Sequence, residues 1–353
     1  MKKYNQVIPE GKTVFIGIDI HRNSWHLTAV VEDEVVFSGT LPADPEALLK
    51  FLKRYGNNPI ESVYEAGYFG FWLYELLNDS GIECMVTPPT LVPMEYGNHV
   101  KTDRRDSRKL AYLLSKDMLK KVWVPSPQLC AHRQVLRRRQ KLIGDRMRVQ
   151  HRIKSELSFY GITIASPRGL WPAYFVNQLK DIAFADPFHQ QSFWVLLEEY
   201  EYLNQLVEQQ TQLLNDLAAS EHYKKQVRLL KTIPGIGPIS AMSLLLELGD
   251  ISRFARAEQL AAYVGLTPAQ YSSADKIRMG RITRCGKNSL RAVLTEAAWT
   301  AIKKDPELRS VYDKLKFRRG SKKAIVAVTR RLLLRCRRVL LEMRPYCLKE
   351  EAA

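Results

Sequence analysis

The chain has 353 residues with 54 lysines and arginines against 37 acids, a formal net charge of +17 that is typical of proteins that bind nucleic acid. Its 46% hydrophobic content suffices for one large core or two ordinary ones. Five cysteines without CxxC spacing exclude a disulfide scaffold and indicate no zinc site, and no apolar run approaches ~18 residues, so we expect a soluble cytoplasmic protein without a membrane span.

The first 125 residues predict an α/β domain with a mixed sheet. Short apolar runs predict strands at 14–18, 25–31, 35–37, 62–65 and 84–86. The first three are expected to pair as hairpins, while the later strands alternate with helices that begin near 44 and 72. A further helix is predicted over 103–114, with acids at its start, where the helix dipole favours them.

The remaining residues are predominantly helical. Two long helices, 129–160 and 193–223, are predicted to form an antiparallel or an intermolecular coiled coil. Beyond them the pattern predicts a pair of apolar helices, a Gly- and Ser-punctuated loop at 265–288, and a basic helical end at 290–343. We therefore predict three domains, 1–125, 126–225 and 226–353.

Four carboxylates lie where an apolar run ends or a helix begins: Asp19, Glu65, Asp103 and Asp106. Asp103 and Asp106 are three residues apart and share one helical face. Acids brought close together repel one another, and two Mg²⁺ (or Mn²⁺) ions would compensate them while activating an attacking oxygen and stabilising a leaving one. The alternatives are turn or capping roles for each acid, and Glu61 competes with Glu65 for the same position.

The segment Pro234-Gly235-Ile236-Gly237-Pro238, between apolar helices, predicts the hairpin of a helix-hairpin-helix. Its glycines allow tight turns, and N–H groups at the start of the second helix can hold a DNA phosphate. Lys231, just before the hairpin, favours a phosphate contact. The alternative is an ordinary glycine-rich connection between two helices.

Three N-terminal segments carry a resemblance to a known family: Gly17-Ile18-Asp19-Ile20-His21, Tyr64-Glu65-Ala66-Gly67-Tyr68 and Lys101-Thr102-Asp103-Arg104-Arg105-Asp106-Ser107. They resemble the DEDD-type transposases of the insertion sequence one-hundred-and-ten family. The resemblance implies a RuvC-like, ribonuclease-H-type N-terminal domain and a C-terminal transposase domain. With the helical pattern, the predicted fold is an α/β RuvC-like domain, a helical coiled-coil middle and a mainly α C-terminal domain with a helix-hairpin-helix. The resemblance also implies metal-ligand roles for the four acids, Asp19, Glu65, Asp103 and Asp106.

Two C-terminal segments extend the resemblance: Gly265-Leu266-Thr267-Pro268 and Gly280-Arg281-Ile282-Thr283-Arg284-Cys285-Gly286. In the family a serine between such segments attacks the scissile phosphate and forms a covalent protein–DNA intermediate, and Ser273 occupies its position. The family's serine is usually followed by glycine, whereas Ala274 follows here. If that position needs positive φ, alanine would strain the turn by roughly 1 kcal/mol, and Ser272 is then the fallback nucleophile.

Basic and glycine residues around these motifs are predicted to bind nucleic acid: Arg104, Arg105, Arg108, Lys231, Gly235, Gly237, Lys276, Arg278, Arg281, Arg284, Lys287 and Arg291. The resemblance further implies a structured noncoding RNA, the bridge RNA, that pairs with donor and target DNA. The basic stretches 133–154 and 318–338 are candidates to hold it, with solvated helix faces as the alternative. It also implies a homodimer or homotetramer that assembles the active site through the long helices.

We therefore predict a bacterial DNA transposase or recombinase with a metal site and a serine nucleophile, associated with the nucleoid during action. A site-specific invertase is one alternative, because pilin-gene invertases resemble the same family. A nuclease that uses metal alone is a second. A non-catalytic nucleic-acid-binding protein is the third, and Ala274 is its main support.

Overall fold

The computed structural model describes residues 8–93, 102–273, 276–283 and 286–348, and the side chains of residues 271–279 are outside its description. The chain forms two compact units: unit 1, Met1–Val124, and unit 2, Pro125–Ala353. The further division of unit 2 near residue 225 stays a prediction. In the described part of the chain, no helix combines the length and the apolar character that crossing a membrane requires.

Unit 1 contains a five-stranded mixed sheet in the order β3-β2-β1-β4-β5. Its strands are β1 (Val14–Ile20), β2 (Ser24–Val31), β3 (Glu34–Pro42), β4 (Ile60–Glu65) and β5 (Glu83–Thr87), and its helices are α1 (Pro45–Leu52), α2 (Trp72–Asp79) and α3 (Asp103–Ser115). The pairs β1–β2 and β2–β3 are antiparallel, whereas β1–β4 and β4–β5 are parallel. The predicted mixed α/β N-terminal domain is confirmed.

The two faces of β1 contact different helices because successive strand residues point to opposite sides. Ile16 and Ile18 are buried in a core shared with side chains of α1 and α2. Phe15 packs on the other face, against leucines of α3. Gly17 shares that face, and a Cβ added there would lie 2.0 Å from the carbonyl oxygen of Ser107, so the missing side chain lets α3 contact the strand directly.

Local sequence fixes where α3 begins. The Thr102 side chain accepts a hydrogen bond from the backbone N–H of Arg105, which caps the helix. Asp103 and Asp106 lie in the first turn, where the helix dipole favours negative charge. The cap places both acids beside the end of β1.

Unit 2 begins with two long helices, α4 (Pro127–Phe159) and α6 (Pro187–Ala219), with α5 (Ala173–Lys180) between them. Cross-helix bonds join Arg139 to Thr211 and Arg152 to Glu199, so residues late in α4 meet residues early in α6. The helices therefore run antiparallel within one chain, which is the first of the two predicted arrangements.

The rest of unit 2 is mainly helical: α7 (Lys224–Leu230), α8 (Pro238–Leu248), α9 (Ala257–Val264), α10 (Asn288–Lys304), α11 (Pro306–Arg319) and α12 (Ser321–Glu342). Between α9 and α10 lies an antiparallel hairpin of β6 (Pro268–Ser273) and β7 (Lys276–Ile282). The prediction of a loop over 265–288 was wrong. Residues 277–279 alternate apolar and polar types, a short strand pattern that the surrounding glycines and serines obscured.

Candidate active site and nucleic-acid interface

Two of the predicted acids, Asp19 and Asp103, meet where β1 ends and α3 begins. The imidazole Nε2 of His21 lies 3.3 Å from Asp19 Oδ2 and 3.4 Å from Asp103 Oδ1. Donor atoms of these three residues all lie within 4.8 Å of one another. Sequence reasoning missed His21, although its spacing of two from Asp19 could have indicated it, because residues i and i+2 of a strand share a face.

The other two predicted acids flank this group. Glu65 ends β4, and the parallel register that pairs Ile18 with Tyr64 makes Glu65 the neighbour of Asp19. Asp106 follows Asp103 by one turn of α3. Among the described residues, Glu65 and Asp106 lie outside the group whose donor atoms are within 4.8 Å.

The carboxyl group of Asp19 lies in a partly buried position close to two other acids. Burial raises the pKa of its carboxyl group; His21 opposes the shift, and the charges of Asp103 and Asp106 add to it. Two carboxylates and an imidazole are ligand types that divalent ions accept, and a cation would relieve this repulsion. The residues present therefore fit a divalent metal ion.

A hydrogen-bonded chain beneath the site holds α3 against the sheet. The hydroxyl of Ser107 lies 2.8 Å from His26 Nδ1 and 2.8 Å from the hydroxyl of Thr28, both on β2. Ser107 and Thr28 are fully buried. Burial lowers the pKa of His26, against the opposing charges of Asp103 and Asp19. These hydrogen bonds hold α3 against β2 one turn after Asp103.

The predicted nucleic-acid contacts on α3 are exposed. Arg104, Arg105 and Arg108 lie in its first two turns, close to the acids in sequence. Cations at the rim of an acidic site can hold the phosphates that flank a scissile bond. Their exposure is compatible with the predicted contact.

Lys231, Gly235 and Gly237 belong to the segment between α7 and α8, as predicted. Gly235 has φ +89°, and a Cβ there would lie 2.3 Å from the carbonyl oxygen of Ala297 on α10, so glycine is required by packing. A Cβ on Gly237 would meet nothing within 4 Å. Of these two glycines, Gly237, the residue before α8, is the one with open space beside it.

An open groove of about 600 Å³ borders this segment. Lys224, Arg228 and Lys231 line it, together with Thr232, Pro238 and the end of α6. Their spacings of four and three residues place the three cations on one side of α7 and its final turn. Sequence reasoning identified Lys231 and missed the other two, because only the fold shows that α6 and α8 enclose this face.

Two family models match this chain. A family model for DEDD-type IS110 transposases matches residues 16–162, and a model described as transposase IS116/IS110/IS902 family matches residues 227–313, together more than half of the chain. The chain belongs to the IS110 family of transposases. It is therefore an enzyme that transposes or recombines DNA, and DNA is a partner.

The chain is also similar to individual proteins, two of which are named as transposases. The chain is 28% identical to a putative transposase of Sinorhizobium fredii, over 84% of the chain and 73% of the relative. It is 24% identical to the transposase for insertion sequence element IS1533 of Leptospira borgpetersenii, over 82% and 85%. It is 32% identical to the pilin gene-inverting protein of Moraxella bovis, over 41% and 45%.

Several arginines of the basic stretch 133–154 in this transposase bond within unit 2. Arg133 donates to the carbonyl oxygens of Leu246 and Glu247, at 2.6 and 3.2 Å. Arg137 donates twice to the carboxylate of Glu247, at 2.9 Å each. These guanidinium groups pair with backbone carbonyl oxygens and a carboxylate at the end of α8. Their hydrogen bonds and positive charge therefore stabilise unit 2 itself.

The basic tail 318–338 contains similar pairs. Arg335 bonds to the carboxylates of Asp305 and Glu307, and Asp305 is fully buried. Arg337 donates to the carbonyl oxygens of Phe254 and Ala255. For these residues the prediction of an RNA contact competes with a structural role.

The predicted serine loop is described only in part. Ser273 is the last residue of β6, and Arg281 is exposed on β7. Lys287 Nζ lies 3.4 Å from Glu247 Oε2, and Arg291 donates to the carbonyl oxygen of Val264, so both predicted phosphate contacts also have partners inside unit 2. The positions of Ala274 and Arg284 and the side chains of Ser272, Ser273, Lys276 and Arg278 lie outside the description.

Proposed function

We propose that this transposase cuts and rejoins DNA with a divalent metal site, formed by Asp19, Glu65, Asp103 and Asp106, and a nucleophilic serine, Ser273. The observation that carries the proposal is the convergence of Asp19 and Asp103, which are far apart in sequence, at one end of the sheet. Mg²⁺ or Mn²⁺ suits the oxygen ligands. The strand order of unit 1, with β1 to β3 antiparallel and β4 and β5 parallel to β1, supports a RuvC-like, ribonuclease-H-type fold.

The four acids, the hydrogen bonds that position α3 and the arginines of α3 would act together on one phosphate and its neighbours. Bound divalent ions supply Lewis acidity that stabilises negative charge on a phosphate in the transition state. Asp19 on β1 and Asp103 on α3 would hold the ion from two elements, and the hydrogen bonds from Ser107 to His26 and Thr28 hold α3 against β2, the strand paired with β1. The arginines of α3 would hold adjacent phosphates of the bound strand.

Ser273 would supply the covalent step. Its Oγ forms a bond to phosphorus as the bond from phosphorus to the leaving deoxyribose oxygen breaks, and the serine proton passes to that oxygen or to solvent. Attack by a second strand's hydroxyl then releases the serine. The family resemblance of the segments on either side of Ser273 supports this role. The acids and Ser273 belong to different units. The family resemblance implies that these units meet between protomers, so the proposed working form is a homodimer or homotetramer.

The groove lined by Lys224, Arg228 and Lys231 would hold the DNA backbone. Its cations and the backbone N–H groups at the start of α8 are suited to phosphates and carry no base specificity. A bridge RNA would then select the sequence by pairing. In that arrangement the protein recognises backbone shape, and the guide supplies base identity.

A cleavage assay separates the candidate activities. Full-length protein is incubated with the element's noncoding RNA, Mg²⁺ and end-labelled element-junction DNA, and the products are resolved under denaturing conditions. Strand transfer with a protein–DNA adduct is expected for the wild type. Cleavage without an adduct would favour the metal-only nuclease, and binding without cleavage would favour the non-catalytic protein.

Inversion is the second candidate function, because one relative is a pilin gene-inverting protein. A plasmid with two junction sites in inverted orientation distinguishes the two reactions. Transposition predicts joining to a separate target molecule. Inversion predicts reversal of the segment between the two sites and no joining to the separate target.

A further inference from the structure

We infer that His21 is a ligand of the divalent ion at this site, so that the donor set combines an imidazole nitrogen with carboxylate oxygens. The inference rests on the proposed metal site and adds a residue outside the four acids. Its basis is the position of Nε2, 3.3 Å from Asp19 Oδ2 and 3.4 Å from Asp103 Oδ1. One nitrogen thus faces two carboxylates from different elements.

The backbone directs His21 toward the acids. His21 follows the last residue of β1 and lies two residues after Asp19, and its Nε2 faces both Asp19 and Asp103. Its backbone N–H donates to the carbonyl oxygen of Ser24 at 3.1 Å, which closes the turn between β1 and β2. The side chain is half exposed, so an ion and its waters can reach the imidazole.

The distances suit three donors around one ion. Adjacent ligands of an octahedral ion with bonds of ~2.1 Å are roughly 3.0 Å apart. The two separations from His21 Nε2, 3.3 and 3.4 Å, are close to that spacing, and the donor atoms of Asp19 and Asp103 lie within 4.8 Å of each other.

A nitrogen ligand changes which ion the site prefers. Mg²⁺ is bound almost entirely by oxygen ligands. Transition-metal ions, including Mn²⁺, accept an imidazole nitrogen more readily than Mg²⁺ does. His21 should therefore raise the affinity for Mn²⁺ relative to Mg²⁺. His21→Asn substitutes an amide oxygen and should retain Mg²⁺ binding while the preference for Mn²⁺ falls, by about 10-fold or more.

The test is pulsed electron paramagnetic resonance on Mn²⁺ bound to the full-length protein, with calorimetric titrations of Mn²⁺ and Mg²⁺. The wild type should show a ¹⁴N coupling from a directly bound nitrogen, and His21→Asn should lose it while still binding Mn²⁺. His151→Asn is the control, because His151 is an exposed histidine of α4 in unit 2. It should change neither the coupling nor the affinity ratio.

The outcomes separate this inference from the proposed function. Bound Mn²⁺ without a ¹⁴N coupling in the wild type, or a coupling that persists in His21→Asn, would overturn the role of His21 and leave the carboxylate site intact. No specific Mn²⁺ binding, or binding unchanged in Asp103→Ala, would overturn the metal site itself and His21 with it.

Discussion

In unit 1, the acids Asp19 and Asp103 converge at the end of one sheet strand, whereas in unit 2 many arginines that were candidates for nucleic-acid contact bond to the unit's own oxygens. The difference follows from the kind of evidence that identified them. The acids were identified by their motifs and by their positions at strand ends and at a helix start, and those positions determine where the acids lie in the fold. The arginines were identified by charge density, which does not distinguish a buried ion pair from a binding surface.

The largest expected effect is on the acidic site. Asp103→Ala should reduce strand cleavage more than ~100-fold, because losing an outer-shell partner alone costs ~10- to 100-fold in metal sites. Asp79→Asn, at the exposed end of α2, is the control and should cleave like the wild type. Initial rates on labelled junction DNA measure both. Normal cleavage by Asp103→Ala would show that the converging acids are not the site.

The packing of α3 on β1 should be nearly as sensitive. Gly17→Ala places a Cβ 2.0 Å from the Ser107 carbonyl oxygen, so α3 must move, at a cost of ~3 kcal/mol or more in the free energy of unfolding of unit 1. Gly144→Ala in α4 is the matched control, since its Cβ would approach nothing closer than 3.8 Å. Thermal unfolding should show a loss for Gly17→Ala and none for Gly144→Ala. Equal stability of the two variants would contradict the close contact.

The internal role of the unit 2 arginines predicts a stability change. Glu247 is 3% exposed; burial alone would raise its pKa, but hydrogen bonds from Arg137 and the charges of Lys287 and Arg133 lower it overall. Arg137→Ala should cost ~2 kcal/mol, below the 3–5 typical of a broken buried pair because Lys287 remains.

The exposed neighbour Arg138 is the control for Arg137, and Arg138→Ala should change stability by less than ~0.5 kcal/mol. Because the pKa of Glu247 is lowered in the folded state, its contribution is present at neutral pH and lost as the pH falls through that lowered pKa. Urea unfolding at neutral and acidic pH measures both effects. A larger loss of stability for Arg138→Ala than for Arg137→Ala would contradict the internal role of Arg137.

The smallest effect is expected in the groove beside α7. Lys231→Ala should weaken DNA binding similarly for all sequences and reduce the slope of log affinity against log salt by about 1, because one phosphate contact is lost. Lys225→Ala, an exposed lysine of α7 that does not line the groove, should leave the slope unchanged. Equal slopes of log affinity against log salt for the two variants would show that the DNA does not bind in this groove.

Much of unit 1 could be predicted from the sequence because strand ends and a capped helix start fix where Asp19, Glu65 and Asp103 lie. The spacing of His21 from Asp19 indicates proximity to that one acid, but only the folded position of α3 brings Asp103 to the same imidazole. The pairing of Arg137 with Glu247 joins distant parts of the chain, and no local pattern reveals it. The packing requirement at Gly235 likewise depends on α10, which approaches only in the folded unit.

The central claim, that the acids and Ser273 act on the same phosphate, is tested most directly by mapping the nucleotide-bearing peptide after reaction with junction DNA. Mass spectrometry of the digested adduct should place the nucleotide on Ser273 in the presence of RNA and Mg²⁺. The adduct should be absent from Ser273→Ala and Asp103→Ala and in EDTA, and present in Ser272→Ala. Attachment to another residue, or an adduct that forms in Asp103→Ala or in EDTA, would contradict the claim.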